Sequence, residues 1–343
     1  MIFIILLTIF IIPLFLFLSF NFSKKINLYD YPDKNRKIHL KPTLLIGGIF
    51  FQVIFLFYFI LFFYLDLEII KKTLSFNLKD NIILLGTLSA VFAIGLFDDK
   101  KNIKPTIKLI FIFIIFNVSL SLVSDVFIIQ NLKSFFNYRL NLNSYSIYFT
   151  AFCFIVLLNA INMADGINSL SSIIFIIWIF YLNLALPINS FYFLINLILI
   201  YSLTIFAFLN YQNKFFLGDS GCYVLVTYIS FLTVYIYNVG SSSNVNYLNI
   251  ESIFLLFMIP GVDMLRLFFQ RVIKGVNPFK ADSDHLHHIL LKQFGNLKTL
   301  IIYCSAVFIP WLLYYFFISL LPYLIISLLF IYYYMIKLKK KQI

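Results

Sequence analysis

Short polar clusters interrupt an otherwise apolar chain, and one of them ends a long hydrophobic segment with two adjacent carboxylates. This cluster reads Gly95-Leu-Phe-Asp98-Asp99-Lys100. Two carboxylates at a helix C-terminus meet the negative end of the helix dipole and repel each other, so positive charge must compensate them. A solvated helix end neutralised by nearby lysines is one solution. A divalent cation is the other, because Mg²⁺ prefers a few carboxylates together with substrate phosphate oxygens, and Mn²⁺ is the alternative metal.

Two further clusters carry oxygen and amide side chains. The first reads Asn159-Ala-Ile-Asn162-Met-Ala-Asp165-Gly166-Ile-Asn168, and its steps of three residues place the polar groups along one side of a helix. Such groups either join packed membrane helices by hydrogen bonds or face a polar site. The second reads Gly218-Asp219-Ser220-Gly221, in which Asp219 or Ser220 would suit an N-cap. A helix N-terminus flanked by glycines would equally suit a phosphate or a metal that bridges to one.

Two basic clusters contain all four histidines. One reads His285-Leu-His287-His288 and follows Arg266 and Arg271. A zinc site is disfavoured, because no cysteine lies nearby and adjacent histidines point to different sides of a helix. Arg and protonated His donate charge-assisted hydrogen bonds to phosphate oxygens, so phosphate binding is the better interpretation. The other basic cluster reads Arg36-Lys37-Ile-His39 and repeats that chemistry.

The segments between these clusters are strongly apolar, and their structure must determine where the clusters lie. Of the 343 residues, 62% are hydrophobic and only 12% are charged, which excludes a water-soluble enzyme. A membrane-spanning helix needs about 20 apolar residues, or about 17 at the short end. Eleven segments reach or approach this length: Ile2 to Phe20, Leu44 to Leu65, Asn81 to Phe97, Pro105 to Val123, Ile147 to Met163, Leu170 to Leu186, Phe191 to Leu209, Cys222 to Tyr237, Ser252 to Phe269, Thr299 to Ser319 and Tyr323 to Ile336. The last two form one hairpin if Pro322 only bends the chain, so ten spans are the alternative.

The charges predict the orientation of this all-α polytopic domain, which takes in residues 1–343. Eleven spans place residues 21–43, 98–108, 159–169, 210–221 and 263–298 on one side of the membrane. Lys and Arg concentrate on that side, and the exceptions are Lys71, Lys72, Lys79, Lys133 and Arg139. Because positively charged short loops stay in the cytoplasm, the N-terminus is expected outside and the C-terminus inside. The formal net charge of +12 then lies on the cytoplasmic face, where the five loops would form the active site.

One face therefore combines carboxylates suited to a divalent metal with two basic loops suited to phosphates. That combination fits phosphoryl transfer on a highly anionic substrate, where catalysis is mostly positioning and charge neutralisation. Since the clusters lie at membrane-embedded helix ends, a lipid phosphate is a natural acceptor.

The clusters, in this order, resemble those of the polyprenyl-phosphate N-acetylhexosamine-1-phosphate transferases, the glycosyltransferase group 4 family. The resemblance rests on five motifs: Arg36-Lys37-x-His39-x-x-Pro42, Gly95-x-x-Asp98-Asp99, Asn159-x-x-Asn162-x-x-Asp165-Gly166, Gly218-Asp219-Ser220-Gly221 and His285-x-His287-His288. Eleven spans resemble the GlcNAc-type branch of the family more than its ten-span phospho-MurNAc-pentapeptide translocases. The resemblance implies transfer of a sugar 1-phosphate from a UDP-sugar to undecaprenyl phosphate, with Mg²⁺ and release of UMP, in the bacterial inner membrane, at the start of a lipid-linked cell-envelope polysaccharide.

The resemblance also implies roles for individual residues. Asn162 and Asp219 match metal ligands. The positions that match catalytic residues are Asp98, Asp99, Asp165, His285, His287 and His288. The positions expected to bind substrate are Arg36, Lys37, His39, Lys108, Asn159, Asn168 and Arg271. The chain departs from the family's Asp-Gly-x-Asp-Gly-Leu pattern at Asn168 and Ser169, which leaves the identity of the sugar open.

Three alternatives compete with this hypothesis. The first is a transferase of the phospho-MurNAc-pentapeptide type, which serves peptidoglycan synthesis. The second is a transporter or flippase for lipid-linked sugars, although transporters place ionisable residues near the bilayer midplane rather than at helix ends. The third is an inactive homologue, against which the presence of all four motif aspartates argues. The expected partners are the UDP-sugar, undecaprenyl phosphate and membrane lipid, with a homodimer as a further option and no nucleic acid.

Overall fold

The computed structural model describes residues 2–32, 41–64, 77–188, 190–240, 248–278 and 284–338. In lipid every backbone polar group needs an internal partner, and long helices supply one. The described residues contain eleven α-helices: α1 (Ile2–Lys25), α2 (Gly47–Tyr64), α3 (Leu78–Lys101), α4 (Pro105–Leu122), α5 (Ser146–Ala164), α6 (Leu170–Leu184), α7 (Phe191–Tyr211), α8 (Gly218–Gly240), α9 (Ile250–Ile273), α10 (Leu286–Phe316) and α11 (Leu321–Lys337). The prediction of an all-α polytopic membrane protein is confirmed.

Within the described ranges, nine helices are long and apolar enough to cross a membrane, and two shorter apolar helices accompany them. The shorter ones are Gly47–Leu61 and Leu170–Leu184. The number of spans and the orientation of the termini remain predictions. A 3₁₀ turn at Ile318–Leu320 divides the last two helices just before Pro322. Residues 263–298, expected to form a loop, are helical at both ends, because α9 continues to Ile273 and α10 begins at Leu286.

Helix α8 forms the centre of the bundle. In the apolar part of this helix, 89% of the residues are buried within the protein. The helix packs against α2, α3 and α5. A buried polar network joins it to two neighbours: the Tyr228 hydroxyl donates to Asn196 Oδ1 at 2.7 Å, and Asn196 Nδ2 donates to Asn183 Oδ1 at 3.1 Å. Hydrogen bonds of this kind hold membrane helices together, because lipid offers no competing partner.

Glycines allow two helices to approach the first turn of α8 closely. A Cβ atom added at Gly95 of α3 would lie 2.4 Å from Ser220 Cα. One added at Gly48 of α2 would lie 2.1 Å from Ser220 Oγ. These distances are shorter than any van der Waals contact, so the absence of side chains at both positions sets the spacing of α2, α3 and α8.

Short strands, which the sequence did not predict, accompany the helices. Strand β2 (Thr43–Leu45) pairs antiparallel with β1 (Tyr29–Asp30) and parallel with β5 (Phe215–Phe216). This small sheet holds the segments that precede α2 and α8 next to each other. A second pair, β3 (Asn131–Lys133) with β4 (Arg139–Asn141), forms a hairpin between α4 and α5.

Candidate active site

The polar clusters line a cavity of about 700 Å³ that is formed mainly by the ends of the helices. The predicted site residues at its wall are Asp98, Asp99, Lys108, Asn159, Asn162, Asp165, Asn168, Asp219, Arg271, His285 and His288. Four of the five motifs, although far apart in the sequence, thus meet around one space. The fifth motif, with Arg36, Lys37 and His39, lies outside the described residues.

An ion-pair network occupies one wall of the cavity. The Lys108 ammonium, from the first turns of α4, lies 2.5 Å from Asp98 Oδ2 and 3.1 Å from Asp219 Oδ2. Asn162 Nδ2 donates to Asp219 Oδ1 at 2.7 Å, and the Ile103 backbone N–H donates to Asp98 Oδ1 at 2.7 Å. Two carboxylates from α3 and α8 therefore converge on one positive charge. Lys108, expected to bind substrate, also joins these two helices.

The oxygens of this wall suit a divalent cation. No group of three or more His, Cys, Asp or Glu side chains placed to hold a metal is found within the described ranges. Mg²⁺, however, commonly binds through only one or two carboxylates and takes its remaining ligands from phosphates and water. Asp98 and Asp219 already share a cation, the Lys108 ammonium, and the Asn162 amide lies against Asp219. The donor set therefore fits the predicted metal.

Asp99 differs from its neighbour Asp98 because its carboxylate bonds to the start of α8. Asp99 Oδ1 accepts a hydrogen bond from the Asp219 N–H at 2.7 Å. Its Oδ2 accepts from the Ser220 N–H at 3.1 Å and from Ser220 Oγ at 2.5 Å. The first N–H groups of a helix have no partner within the helix, and a carboxylate from α3 satisfies them here. The expectation that Asp219 or Ser220 caps this helix is therefore wrong, since Asp99 takes that role from another helix.

The polar side of α5 faces the cavity, as the spacing of three predicted. Asn159, Asn162 and Asp165 all contribute to its wall. Asp165 follows the last residue of α5, and Cys222 Sγ lies 3.5 Å from its Oδ2. Burial raises the pKa of Asp165 to about 6, and the negative charge of Asp219 adds to this effect. Burial therefore favours the neutral carboxyl at Asp165.

A turn after α5 carries the residues that depart from the family pattern. Asn168 Nδ2 donates to Asn213 Oδ1 at 2.5 Å. Ser169 has a positive φ of 68°, and Asn210 Oδ1 accepts from its backbone N–H. Asn210 and Asn213 also line the cavity, although the sequence analysis did not select them. Their signal was weak, because an asparagine in a polar loop more often indicates a turn than a site.

The histidine cluster lies at the start of α10, and its members have different environments. His285 and His288 line the cavity, whereas His287 is only 1% exposed and is absent from its wall. A Cβ added at Gly166 would lie 2.3 Å from His287 Nε2, so the His287 ring packs directly against the turn that follows α5. His287 thus packs behind the residues that line the cavity and does not face the cavity itself. Arg271, which is 6% exposed, donates from Nη1 to the Pro278 carbonyl at 2.7 Å and also reaches the cavity.

The position of Arg266 upstream of the histidines predicts phosphate binding, but its guanidinium bonds to other residues. Its Nη2 donates to Asp263 Oδ1 at 2.9 Å and to the Asp284 carbonyl at 2.7 Å. Its Nε donates to the Tyr332 hydroxyl at 2.7 Å. Arg266 therefore balances the charge of Asp263 beneath the histidines and does not line the cavity.

Similarity to known proteins agrees with this geometry. The family model for glycosyl transferase family 4 matches residues 81–237, which run from α3 through most of α8 and include three of the four described motifs. Over these residues the chain is similar to glycosyl transferase family 4. An undecaprenyl-phosphate alpha-N-acetylglucosaminyl 1-phosphate transferase of Yersinia pestis is 25% identical over 287 residues, which cover 81% of this chain and 73% of the relative.

Proteins of the same name in two other bacteria show similar figures. The one from Escherichia coli K12 is 26% identical over 290 residues, covering 81% of this chain and 73% of its own. The one from Thermotoga maritima is 26% identical over 290 residues, covering 83% and 80%. The resemblance to this family that the motifs indicated is confirmed.

Proposed function

We propose that the protein transfers a sugar 1-phosphate from a UDP-sugar to undecaprenyl phosphate and releases UMP. It is a glycosyl-1-phosphate transferase by family, and its relatives are named for undecaprenyl phosphate and an N-acetylglucosaminyl 1-phosphate group. The observation that carries the proposal is that one cavity is lined both by carboxylates from α3 and α8 and by Arg271, His285 and His288. The carboxylates suit a divalent cation, and the basic side chains suit phosphate groups.

We further infer that the cavity opens to the cytoplasm of a bacterial cell, where UDP-sugars are made. The support is the concentration of Lys and Arg on the side of the chain that carries the motifs, because positively charged loops stay in the cytoplasm. The enzyme is then a multi-pass protein of the inner membrane. Its acceptor phosphate reaches the site along the membrane surface, at the helix ends where the motifs lie.

The residues of the cavity suggest a division of work. A bound Mg²⁺, for which Mn²⁺ is the alternative, would neutralise charge on the donor diphosphate. Asp98, Asp219 and Asn162 would hold it. Lys108, which forms ion pairs with Asp98 and Asp219, would orient the acceptor phosphate. Arg271, His285 and His288, which line the same cavity, would contact the donor phosphates.

The reaction needs no proton removal from the acceptor. A phosphate monoester has a second pKa of about 6, so the lipid phosphate is largely dianionic in the cytoplasm. We propose that one of its oxygens attacks the sugar-bearing β-phosphorus directly. A new P–O bond forms, the bond from the β-phosphorus to the bridging oxygen breaks, and UMP leaves with that oxygen and the bonding electron pair. Asp98 then orients groups and needs no role as a base.

A double displacement through an aspartyl phosphate is the alternative route. Incubation of the protein with a UDP-sugar labelled at the β-phosphate, without undecaprenyl phosphate, distinguishes the two routes. Direct attack leaves the protein unlabelled, whereas acid-stable label on the protein that undecaprenyl phosphate then removes would establish the covalent route.

A panel assay tests the function itself. Purified protein in lipid nanodiscs is mixed with undecaprenyl phosphate, Mg²⁺ and one UDP-sugar at a time, starting with UDP-N-acetylglucosamine, and UMP is measured. We expect UMP from at least one donor only when the lipid phosphate is present, and at least 100-fold less from the Asp219→Asn variant. UMP release that does not need the lipid would indicate a hydrolase, and no UMP from any donor would refute the proposal.

A further inference from the structure

A buried carboxylate below the histidine cluster has every acceptor position filled. Asp263, in α9, is 4% exposed. Its Oδ1 accepts from Arg266 Nη2 at 2.9 Å and from the Tyr332 hydroxyl at 2.8 Å. Its Oδ2 lies 2.9 Å from His285 Nδ1 and accepts from the Leu286 N–H at 3.1 Å. A buried charge is stable only when it is fully paired, and these four hydrogen-bond partners provide that pairing for Asp263.

We propose that Asp263 is a positioning residue that keeps a proton on Nδ1 of His285 and thereby presents Nε2 to the cavity. An ionised carboxylate can only accept hydrogen bonds, so the nitrogen that faces it must donate. His285 also lines the cavity, and with Nδ1 bonded to Asp263, Nε2 is the ring nitrogen that is left to face it. This inference rests on the proposed function, in which that edge meets the phosphates of the UDP-sugar.

The same contact places a negative charge beside the His285 ring. With Nδ1–H bonded to the carboxylate, Nε2 is free to take a second proton, and the carboxylate balances the imidazolium that results. A protonated Nε2 donates to a phosphate oxygen, including the oxygen that UMP gains as it departs. Asp263 therefore acts on the substrate through His285 without touching it.

The hydrogen-bond pattern makes an isosteric substitution informative. In Asp263→Asn, the carbonyl oxygen is expected at the Oδ1 position, because Arg266 and Tyr332 direct two donors there, against the single backbone donor, the Leu286 N–H, that remains at Oδ2. The amide –NH₂ then replaces Oδ2 and directs a hydrogen at His285 Nδ1. His285 must accept at Nδ1, so its proton moves to Nε2 and the imidazolium is disfavoured. One substitution of equal size thus reverses the tautomer.

Tyr332 supplies a matched control on another helix. Its hydroxyl, from α11, donates to Asp263 Oδ1 but does not contact His285. Tyr332→Phe removes this bond to the carboxylate and the bond that the hydroxyl accepts from Arg266 Nε, and it leaves the contact between Oδ2 and Nδ1 in place. If Asp263 only ties α9 to α10 and α11, both variants should weaken the protein in the same way. If it positions His285, only Asp263→Asn should change the histidine.

The test combines nuclear magnetic resonance with kinetics. The wild-type protein, Asp263→Asn and Tyr332→Phe are prepared with ¹⁵N-histidine in nanodiscs, and His285 is assigned from a His285→Gln sample. We expect an Nδ1–H tautomer or imidazolium in the wild-type protein and in Tyr332→Phe, and an Nε2–H tautomer in Asp263→Asn. A neutral Nε2–H donates a weaker hydrogen bond to phosphate than an imidazolium does, so the KM for the UDP-sugar should rise in Asp263→Asn alone. Loss of the partner that orients a metal-bound histidine typically costs about 10–100-fold, and we expect a rise of that size here. The KM for undecaprenyl phosphate should not change.

Two results would overturn the inference. One is an Nε2–H tautomer at His285 in the wild-type protein, which needs no variant to fold. The other is an equal rise of the donor KM in Tyr332→Phe and Asp263→Asn. Failure of the proposed function looks different: His285 would show Nδ1–H as expected, while the wild-type protein would release UMP from no UDP-sugar.

Discussion

The close approach of α3 to the first turn of α8 provides a prediction whose magnitude follows from the structure. In Gly95→Ala, the new Cβ would lie 2.4 Å from Ser220 Cα and 2.7 Å from its nitrogen. Carbon atoms in contact are about 3.5–4.0 Å apart, so the two helices must separate by about 1 Å at this point. Overpacking of this kind typically costs about 1–3 kcal/mol, because neither contact is with a flexible side-chain end.

The separation should also disturb the cavity. The bond from the Ser220 N–H to Asp99 Oδ2 is 3.1 Å long, and a further 1 Å would take it beyond hydrogen-bonding distance. Asp219, which directly precedes Ser220, would then move away from Lys108. A displacement of about 1 Å in a reacting site can lower the rate about 100-fold. We expect Gly95→Ala to lose both stability and most of its transferase activity.

Gly86 offers a matched control in the same helix. A Cβ added there meets nothing within 4 Å. Gly86→Ala should leave activity unchanged and should be neutral or more stable by up to about 1 kcal/mol, because alanine favours a helix over glycine. Unfolding in mixed micelles with increasing dodecyl sulfate measures stability, and UMP release measures activity. If Gly95→Ala matched Gly86→Ala in both measurements, the close packing of α3 against α8 would be refuted.

Three other variants test separate contacts. Asp99→Asn replaces one accepting oxygen with a donor that opposes the N–H groups of α8. We expect the free energy of unfolding to fall by about 1–3 kcal/mol in the same assay. Unchanged stability would contradict the capping role of Asp99. Lys108→Gln removes the positive charge between Asp98 and Asp219, so Mg²⁺ should raise the melting temperature of this variant more than that of the wild-type protein. An equal rise in both proteins would argue against a Mg²⁺ site at these two carboxylates. Asn196→Leu breaks the link to Tyr228 inside the bundle and should cost about 0.6–2 kcal/mol of stability while preserving the KM values.

The arrangement of helices was largely predictable from the sequence. Each of the eleven apolar segments corresponds to a helix, because a long apolar run between polar clusters has few other structures open to it in lipid. The spacing of Asn159, Asn162 and Asp165 predicted a shared helix face, and these residues do share the cavity. Charge and chemistry at helix ends were enough to bring the four described motifs into one site.

Other features depend on contacts between distant parts of the chain. The sequence could not distinguish Asp98 from Asp99, since the partners of Asp99 lie 120 and 121 residues away in α8. Asp263 and Tyr332 are 69 residues apart, and neither carries a local signal for their hydrogen bond. Strands of two or three residues are also too short to show an alternating pattern. These features follow from how the helices pack, which periodicity alone does not specify.

Mass spectrometry of the lipid product tests the central claim most directly. Protein in nanodiscs is supplied with undecaprenyl phosphate, Mg²⁺ and the UDP-sugar that gives UMP, and the lipids are then extracted. The account predicts a lipid heavier than the acceptor by one sugar and one phosphate, in equal amount to UMP, and none from the Asp219→Asn variant. A lipid that gains the sugar without the second phosphate, with UDP as the other product, would contradict it.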